Sequence, residues 1–275
     1  MRKVIISVAP VEAGAPIDKE ALVEDVAECA KKGAAMCHLH CRSLDGRLTK
    51  DTGELEDIFD RIAKRTDLIC QVSTGGVSDM SIEERCRPLR YPGAESASLN
   101  AGSTNLGEAV YINSFADIRY CAQEVYSRGI VPEIEVFDIG MIYNIRLTKE
   151  QVLYREPVIY NLVFGHKGGL PANMECLTAF RAAVPKDALW GVTHFQRDNW
   201  EFLAAAIAMG ASIVRIGFED SAHLAGGRRA AFNHQLTEKL VRLLRAMDLE
   251  AASPQEARGI MNISSLRGRR EHERV

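Results

Sequence analysis

Short apolar runs alternate with amphipathic stretches along the whole chain. The runs are rich in β-branched residues and are continuously apolar, which is typical of strands buried on both faces of a parallel sheet. They lie at 4–9, 34–41, 68–74, 95–102, 132–138, 158–165, 188–195 and 212–218. Helices are predicted after them at 18–32, 54–65, 81–89, 114–128, 148–155, 173–184, 198–210 and 229–247.

Eight strand–helix units in succession predict a (β/α)8 TIM barrel. An open doubly wound sheet would favour a glycine-rich phosphate turn after the first strand, and the residues 10–14 (PVEAG) lack that pattern. We predict that residues 1–275 form a single barrel domain. It ends in a short C-terminal helix at about 254–262 and a charged tail.

The composition is that of an ordinary globular protein. The 34 Lys+Arg and 37 Asp+Glu give a net charge of −3, and 47% of the residues are hydrophobic. This balance excludes a disordered chain, and it argues against a nucleic-acid partner because no excess of basic residues can neutralise phosphates. No run reaches the ~20 apolar residues of a membrane span. The seven cysteines form no CxxC pair, so we expect free thiols and a cytoplasmic location.

Two histidines close the second predicted strand. His38 and His40 are two residues apart and therefore point to the same face of the strand. Active sites of this fold lie at the carboxyl ends of the strands, and neutral imidazole is a common ligand of divalent ions. The pair predicts a metal site, and the alternative is two hydrogen-bonded histidines of the core.

Charged residues close the eighth predicted strand. The second and eighth strands both flank the first in a closed barrel, so Glu219 could join His38 and His40 on one ion. Three protein ligands with open positions are typical of a catalytic metal. The alternative for Glu219 and Asp220 is a helix cap. A buried Arg215 needs an anionic partner, which Asp220 or a substrate carboxylate would provide.

Two glycine-containing turns are weaker candidates. The turn after the third strand has unscreened backbone N–H groups that could bind a carboxylate, or it is an ordinary turn. It contains Ser73, Thr74, Gly75 and Gly76. Gly168 and Gly169 could hold an anionic cofactor at a helix start, or they form a structural turn.

Other polar residues share the carboxyl ends of the predicted strands. These residues are Ser98, Asn100, Glu135 and His194. Arg42 and His194 are further candidates for shaping specificity. Glu135 is alternatively a rim or barrel-layer residue.

Four motifs together resemble the β-keto acid cleavage enzymes. They are HLHCRSLDG (38–46), QVSTGG (71–76), PEIEVFDIGM (132–141) and VRIGFED (214–220), and the resemblance covers nearly the whole chain. It implies a (β/α)8 barrel, a homotetramer, one Zn²⁺ per subunit and acetyl-CoA as co-substrate. It also implies conversion of a β-keto acid and acetyl-CoA into acetoacetate and a new acyl-CoA.

The resemblance assigns roles to individual positions. His38, His40 and Glu219 match zinc ligands, and Arg215 and Asp220 match the pair that abstracts a proton. Ser73 matches a serine near the substrate carboxylate, and Ser98 and Glu135 match pocket positions.

One position departs from the family pattern. Gly14 stands where the member that acts on an amino keto acid has an ammonium-binding glutamate. Glu12, two residues earlier, either contacts a cation of the substrate or is solvated.

Two other functions stay open at this point. A metal-dependent aldolase or hydrolase on the same barrel would need no CoA, and a non-catalytic barrel would bind a small acid without metal. The donor set suits zinc but also cobalt, manganese or iron.

Overall fold

A closed barrel of parallel strands forms the centre of the computed structural model, which describes residues 1–263. In chain order the strands are β1 (Lys3–Val8), β2 (Met36–Leu39), β3 (Ile69–Val72), β4 (Ser96–Asn100), β5 (Thr104–Leu106), β6 (Ala109–Tyr111), β7 (Val131–Val136), β8 (Ile159–Phe164), β9 (Leu189–His194), β10 (Ile213–Ile216), β11 (His223–Ala225), β12 (Arg228–Arg229) and β13 (Glu250–Ala251). Strands β1–β4 and β7–β10 pair in sequence order, and β10 pairs with β1 to close the ring. The predicted (β/α)8 barrel is therefore confirmed.

Helices follow the barrel strands and cover their outer faces. They are α1 (Lys19–Lys32), α2 (Gly53–Arg65), α3 (Ile82–Arg85), α4 (Phe115–Ser127), α5 (Ile139–Thr148), α6 (Met174–Ala183), α7 (Glu201–Ala208), α8 (Asn233–Ala246) and α9 (Pro254–Ile260). Local sequence sets their ends: the Asp18 side chain accepts from the Ala21 N–H at the start of α1, and Gly33 ends that helix at φ 113°. No helix within residues 1–263 combines the length and apolar character needed to cross a bilayer.

The barrel interior changes from apolar to polar along its axis. One buried cluster near the amino ends of the strands contains Ile5, Met36, Ile69, Val131, Ile159 and Ile213. Ala257 of α9 and Met261 just after it pack on this cluster. Because this end of the barrel is filled, a ligand site is left to the opposite end, where the interior residues are polar.

One predicted helix was wrong. The sequence predicted a helix over 148–155, whereas α5 covers Ile139–Thr148 and the following residues form a turn. The Asp138 side chain accepts from the Met141 N–H and starts the helix directly after β7. Met141, Ile142 and Ile145 then bury one face. The acidic cap ten residues earlier, at the end of the strand run, was not recognised.

Smaller differences concern the loops and the chain end. The hairpins β5–β6 and β11–β12, in the loops after β4 and β10, were not predicted. The helix expected at 81–89 is divided into α3 and a 3-10 helix over Arg87–Arg90. The predicted C-terminal helix is α9, and the charged tail predicted beyond it lies outside the described residues.

Candidate active site

Two histidines and one carboxylate converge at the carboxyl end of the barrel. His38 lies on β2 and His40 just after it, and Glu219 follows β10, on the other side of β1. One ligand atom from each lies within 4.8 Å of the others. Glu219 Oε1 is 3.2 Å from His40 Nε2 and 3.9 Å from His38 Nε2.

The hydrogen bonds of Gln71 fix the tautomer of His38. The Gln71 amide nitrogen donates to Ser96 Oγ at 3.0 Å and to Glu133 Oε2 at 2.7 Å, so its oxygen is left to accept. That oxygen lies 2.7 Å from His38 Nδ1, which therefore donates to it. His38 Nε2 then carries a lone pair, and it is buried without a hydrogen-bond partner in the described chain. Burial lowers the pKa of His38 to about 3, so this imidazole is neutral.

The hydrogen bond of His40 has the same effect. Its Nδ1 lies 3.1 Å from the carbonyl oxygen of Gly75, which can only accept, so Nδ1 donates. The Nε2 atom of a neutral His40 therefore presents a lone pair to Glu219 Oε1. Burial works to raise the pKa of Glu219, but His40, when it carries a proton on Nε2, and Arg215 outweigh burial and hold this pKa below its usual range. Two acceptors at this distance need a cation between them, which is a proton or a metal ion.

A glycine in β10's terminal turn places Glu219. Gly217 has φ 133°, and a Cβ there would lie 2.1 Å from the carbonyl oxygen of Ala9. The Glu219 N–H donates to this same carbonyl at 3.1 Å. The close approach of the two backbones, which only glycine allows, thus fixes the carboxylate beside the histidines.

A buried arginine contacts three carboxylates in the same place. Arg215 binds Asp220 through two bonds, Nε to Oδ2 at 3.0 Å and Nη2 to Oδ1 at 2.7 Å. It also donates to Glu135 Oε1 at 3.2 Å and to Glu219 Oε1 at 3.4 Å. Burial raises the pKa of Asp220, and the guanidinium of Arg215 opposes that rise. Burial likewise raises the pKa of Glu135 to about 7.

Two hydroxyl groups adjoin the histidine pair. Ser73 Oγ lies 3.4 Å from His40 Nε2 and 3.3 Å from Ser98 Oγ. The Thr74 hydroxyl donates to the Ser98 carbonyl and stabilises the turn. A Cβ at Gly75 would lie 2.2 Å from the hydroxyl of Tyr111, so this residue must be small. Gly75 and Gly76 line the cavity described next.

A cavity of about 530 Å³ lies at the mouth of the barrel beside these groups. The buried His38, Ser73, Thr74 and Ser98 are not among its lining residues. His40, Arg42, Glu135, Arg215, Glu219 and Asp220 line it. Rings from three consecutive barrel strands form one wall: His166 stacks on Phe195 with ring centroids 3.8 Å apart, and Phe137 lies 5.5 Å from His166. The structure thus places charged groups and an aromatic wall around one space.

Several predicted candidates lie away from this cavity. Glu12 is exposed and lies 3.8 Å from Arg229. Gly168 packs against the backbone of Asn105 and Gly169 against Phe137. The Asn100 side-chain oxygen accepts from the Gly102 N–H, and the His194 ring packs on Phe202. None of these candidates is among the residues that line the space.

Sequence reasoning missed Gln71 and the aromatic wall. Gln71 pairs in register with His38 across β2 and β3 and lies two residues before Ser73, so strand alternation could have placed it under the histidines. The aromatic wall gave a weaker signal in the sequence. Each of its residues closely follows a barrel strand, but nothing else marks Phe137, His166 or Phe195 as part of the site.

Comparison with known proteins gives concordant results. A family model described as beta-keto acid cleavage enzyme matches residues 3–263. The chain is 35% identical to a 3-keto-5-aminohexanoate cleavage enzyme of Fusobacterium nucleatum, over 96% of this chain and 99% of that one. It is 29% identical to a 3,5-dioxohexanoate:acetyl-CoA acetone transferase of Paraburkholderia graminis, over 95% and 96%.

One solved structure with similar architecture is the apo structure of ObcA. Its TM-score is 0.77 at 18% identity, over 90% of this chain and 65% of that chain. At this identity the likeness concerns the fold.

Proposed function

We infer that this chain, which belongs to the beta-keto acid cleavage enzyme family, converts a β-keto acid and acetyl-CoA into acetoacetate and a new acyl-CoA at the cavity described above. The family predicted from the four motifs is confirmed. The enzyme is an acetyl-CoA-dependent transferase of β-keto acids, as its relatives are named.

We propose that His38, His40 and Glu219 hold one Zn²⁺. The observation that supports this is the convergence of one ligand atom each from His38, His40 and Glu219 within 4.8 Å, with the buried Nε2 of His38 left without a hydrogen-bond partner in the described chain. Two imidazoles and one carboxylate with open positions suit a catalytic zinc. A bound divalent ion supplies Lewis-acid polarisation of the substrate oxygens and stabilises enolate charge.

Asp220 is the proposed base. Its carboxylate takes a proton from C2 of the keto acid, and the two bonds from Arg215, one to each oxygen, hold the carboxylate in one orientation. Burial, by raising the pKa of Asp220, makes this carboxylate a stronger base than a solvated one. Ser73, beside His40, is the proposed hydroxyl donor to the substrate carboxylate, and the Ser98 hydroxyl lies 3.3 Å behind it.

The transfer then balances without a further reactant. The C2 carbanion attacks the thioester carbon of acetyl-CoA and forms a new carbon–carbon bond. The CoA thiolate leaves and attacks C3 of the keto acid. The C2–C3 bond breaks and its electron pair stays on C2, which takes back the proton held by Asp220. This gives acetoacetate from the acetyl group and C1–C2, and the remaining acyl group leaves as the new acyl-CoA.

The test is acetoacetate formation by zinc-loaded protein from a panel of β-keto acids with acetyl-CoA. The proposal requires acetoacetate from at least one acid, and none when acetyl-CoA is omitted. Cleavage that persists without acetyl-CoA would instead indicate an aldolase or hydrolase. A fully metal-loaded enzyme that forms no acetoacetate across the panel contradicts the proposal.

We also propose a cytoplasmic homotetramer. All seven cysteines are free thiols and six are buried, which suits a reducing compartment. The tetramer rests on the family resemblance, and light scattering of the purified protein measures it directly.

A further inference from the structure

One guanidinium in the active cavity has no carboxylate partner. Arg42 follows the histidine pair and lines the cavity. Its Nη1 donates to the Gly46 carbonyl at 2.8 Å, which anchors the side chain. Its Nε is buried without a hydrogen-bond partner, and across residues 1–263 no carboxylate forms an ion pair with it. Burying a cation is unfavourable unless an anion compensates it.

The other charges of the cavity lining are already paired. Its three carboxylates, Glu135, Glu219 and Asp220, all lie within 3.4 Å of Arg215. Arg47, the remaining lining arginine, is exposed and pairs with Asp45. Among the described residues of the lining, Arg42 is therefore the cation left open to a ligand.

Arg42 belongs to a different segment of the chain from the two serine hydroxyl groups. Ser73 follows β3 and lies beside His40, whereas Ser98 lies within β4 behind Ser73, and neither is among the residues that line the cavity. Arg42 belongs to the loop after β2, and the loop after β1 contributes Ala13 and Gly14 to the lining at the same rim. That loop brings no carboxylate inward, because its Glu12 is exposed and lies beside Arg229.

We propose that Arg42 binds a second acidic group on the substituent of the keto acid, so that the preferred substrates are β-keto diacids. This inference rests on the proposed function and extends it to a substrate class. The planar guanidinium matches a carboxylate geometrically through paired N–H donors. A cationic substituent, by contrast, would meet an unpaired arginine and no free carboxylate.

The first experiment compares two acids of equal carbon number, 3-oxohexanedioate and 3-oxohexanoate. Wild type is expected to favour the diacid at least tenfold in kcat/KM. Arg42→Gln should lower kcat/KM for the diacid by about 10- to 100-fold, mainly through KM, because a charge-assisted hydrogen bond is lost. The monoacid should change less than about threefold. Arg42→Lys, which keeps the charge, should retain part of the preference.

Arg47→Gln is the matched control, since it removes an arginine from the rim that already pairs with Asp45. It should leave both substrates within about threefold of wild type. Equal losses for both acids in Arg42→Gln would place Arg42 on the carboxylate common to all β-keto acids and overturn the proposal. A rise confined to the KM for acetyl-CoA would assign Arg42 to CoA and overturn it as well.

A binding experiment separates this inference from the proposed function. Adipate should raise the melting temperature of wild type more than hexanoate does, and Arg42→Gln should abolish that difference while its far-UV spectrum stays unchanged. Because no turnover is needed, an adipate effect that depends on Arg42 would support the subsite even if no acetoacetate forms. Equal shifts by both acids in wild type would refute the subsite.

Discussion

Replacing Gln71 by methionine tests how the proposed metal site is held. Methionine nearly preserves the volume but removes the acceptor for His38 Nδ1 and the donors to Ser96 and Glu133. Loss of such a supporting hydrogen bond typically lowers metal affinity by about 10- to 100-fold, or about 1.4–2.8 kcal/mol. The buried groups left unpaired should also lower the free energy of unfolding by about 2–4 kcal/mol.

Gln71→Glu is the informative comparison. Its carboxylate can still accept from His38 Nδ1, so it should bind metal more tightly than Gln71→Met although it lies beside Glu133. Zinc titration of metal-free proteins against a chromophoric chelator measures both affinities, and far-UV circular dichroism checks that each variant is folded. Wild-type affinity in Gln71→Met would refute the argument that this bond orients the imidazole. Equal weakness of both variants would attribute the loss to disturbed packing.

Three further predictions follow from the geometry. Asp220→Asn should keep the metal and lose about 10²- to 10⁴-fold in turnover, whereas Glu219→Gln should lose the metal first. Metal content and turnover rate, measured on the same samples, distinguish the two roles. Metal loss in Asp220→Asn would reverse the assigned roles. Burial lowers the pKa of His166 to about 4, so the unfolded chain binds the extra proton between about pH 6.5 and 4. The free energy of unfolding of wild type should therefore fall by up to roughly 3 kcal/mol relative to that of His166→Phe as the pH falls through that window. Urea unfolding measures both free energies, and a difference between them that does not change with pH would contradict this. Gly217→Ala should lower the free energy of unfolding by about 3 kcal/mol or more, because the new Cβ would meet the backbone of Ala9 just after β1. Gly226→Ala, also at positive φ but with nothing within 4 Å, should lower it less. Equal melting temperatures of the two variants would exclude the clash.

The strands and their order followed from sequence because parallel barrel strands are continuously apolar. Each predicted run overlaps a barrel strand, and alternation brought His38 and His40 to one face. The convergence with Glu219 followed from barrel closure, since β1 lies between β2 and β10. These inferences need only the hydrophobic pattern of each segment and the fact that each strand of a closed barrel has two fixed neighbouring strands.

Other features depend on contacts that local pattern does not encode. The α5 helix starts at Asp138, which reads equally as the end of a strand run or as a cap. Glu12 lies outward and near Arg229, a residue far away in the chain. Gln71 lies inside a recognised motif, but its role depends on partners from three different strands. Arg42 was a candidate by location, and only the missing ion pair made it distinctive.

The pairing of β1 with β10 joins the two ends of the barrel sequence, and His40 and Glu219 are 179 residues apart. During synthesis the two imidazoles therefore leave the ribosome long before the carboxylate does. The chain could therefore bind an ion at these three residues only after β10 has paired with β1. A partly unfolded form that separates β1 from β10 would release an ion held by His38, His40 and Glu219 while most helices are still intact.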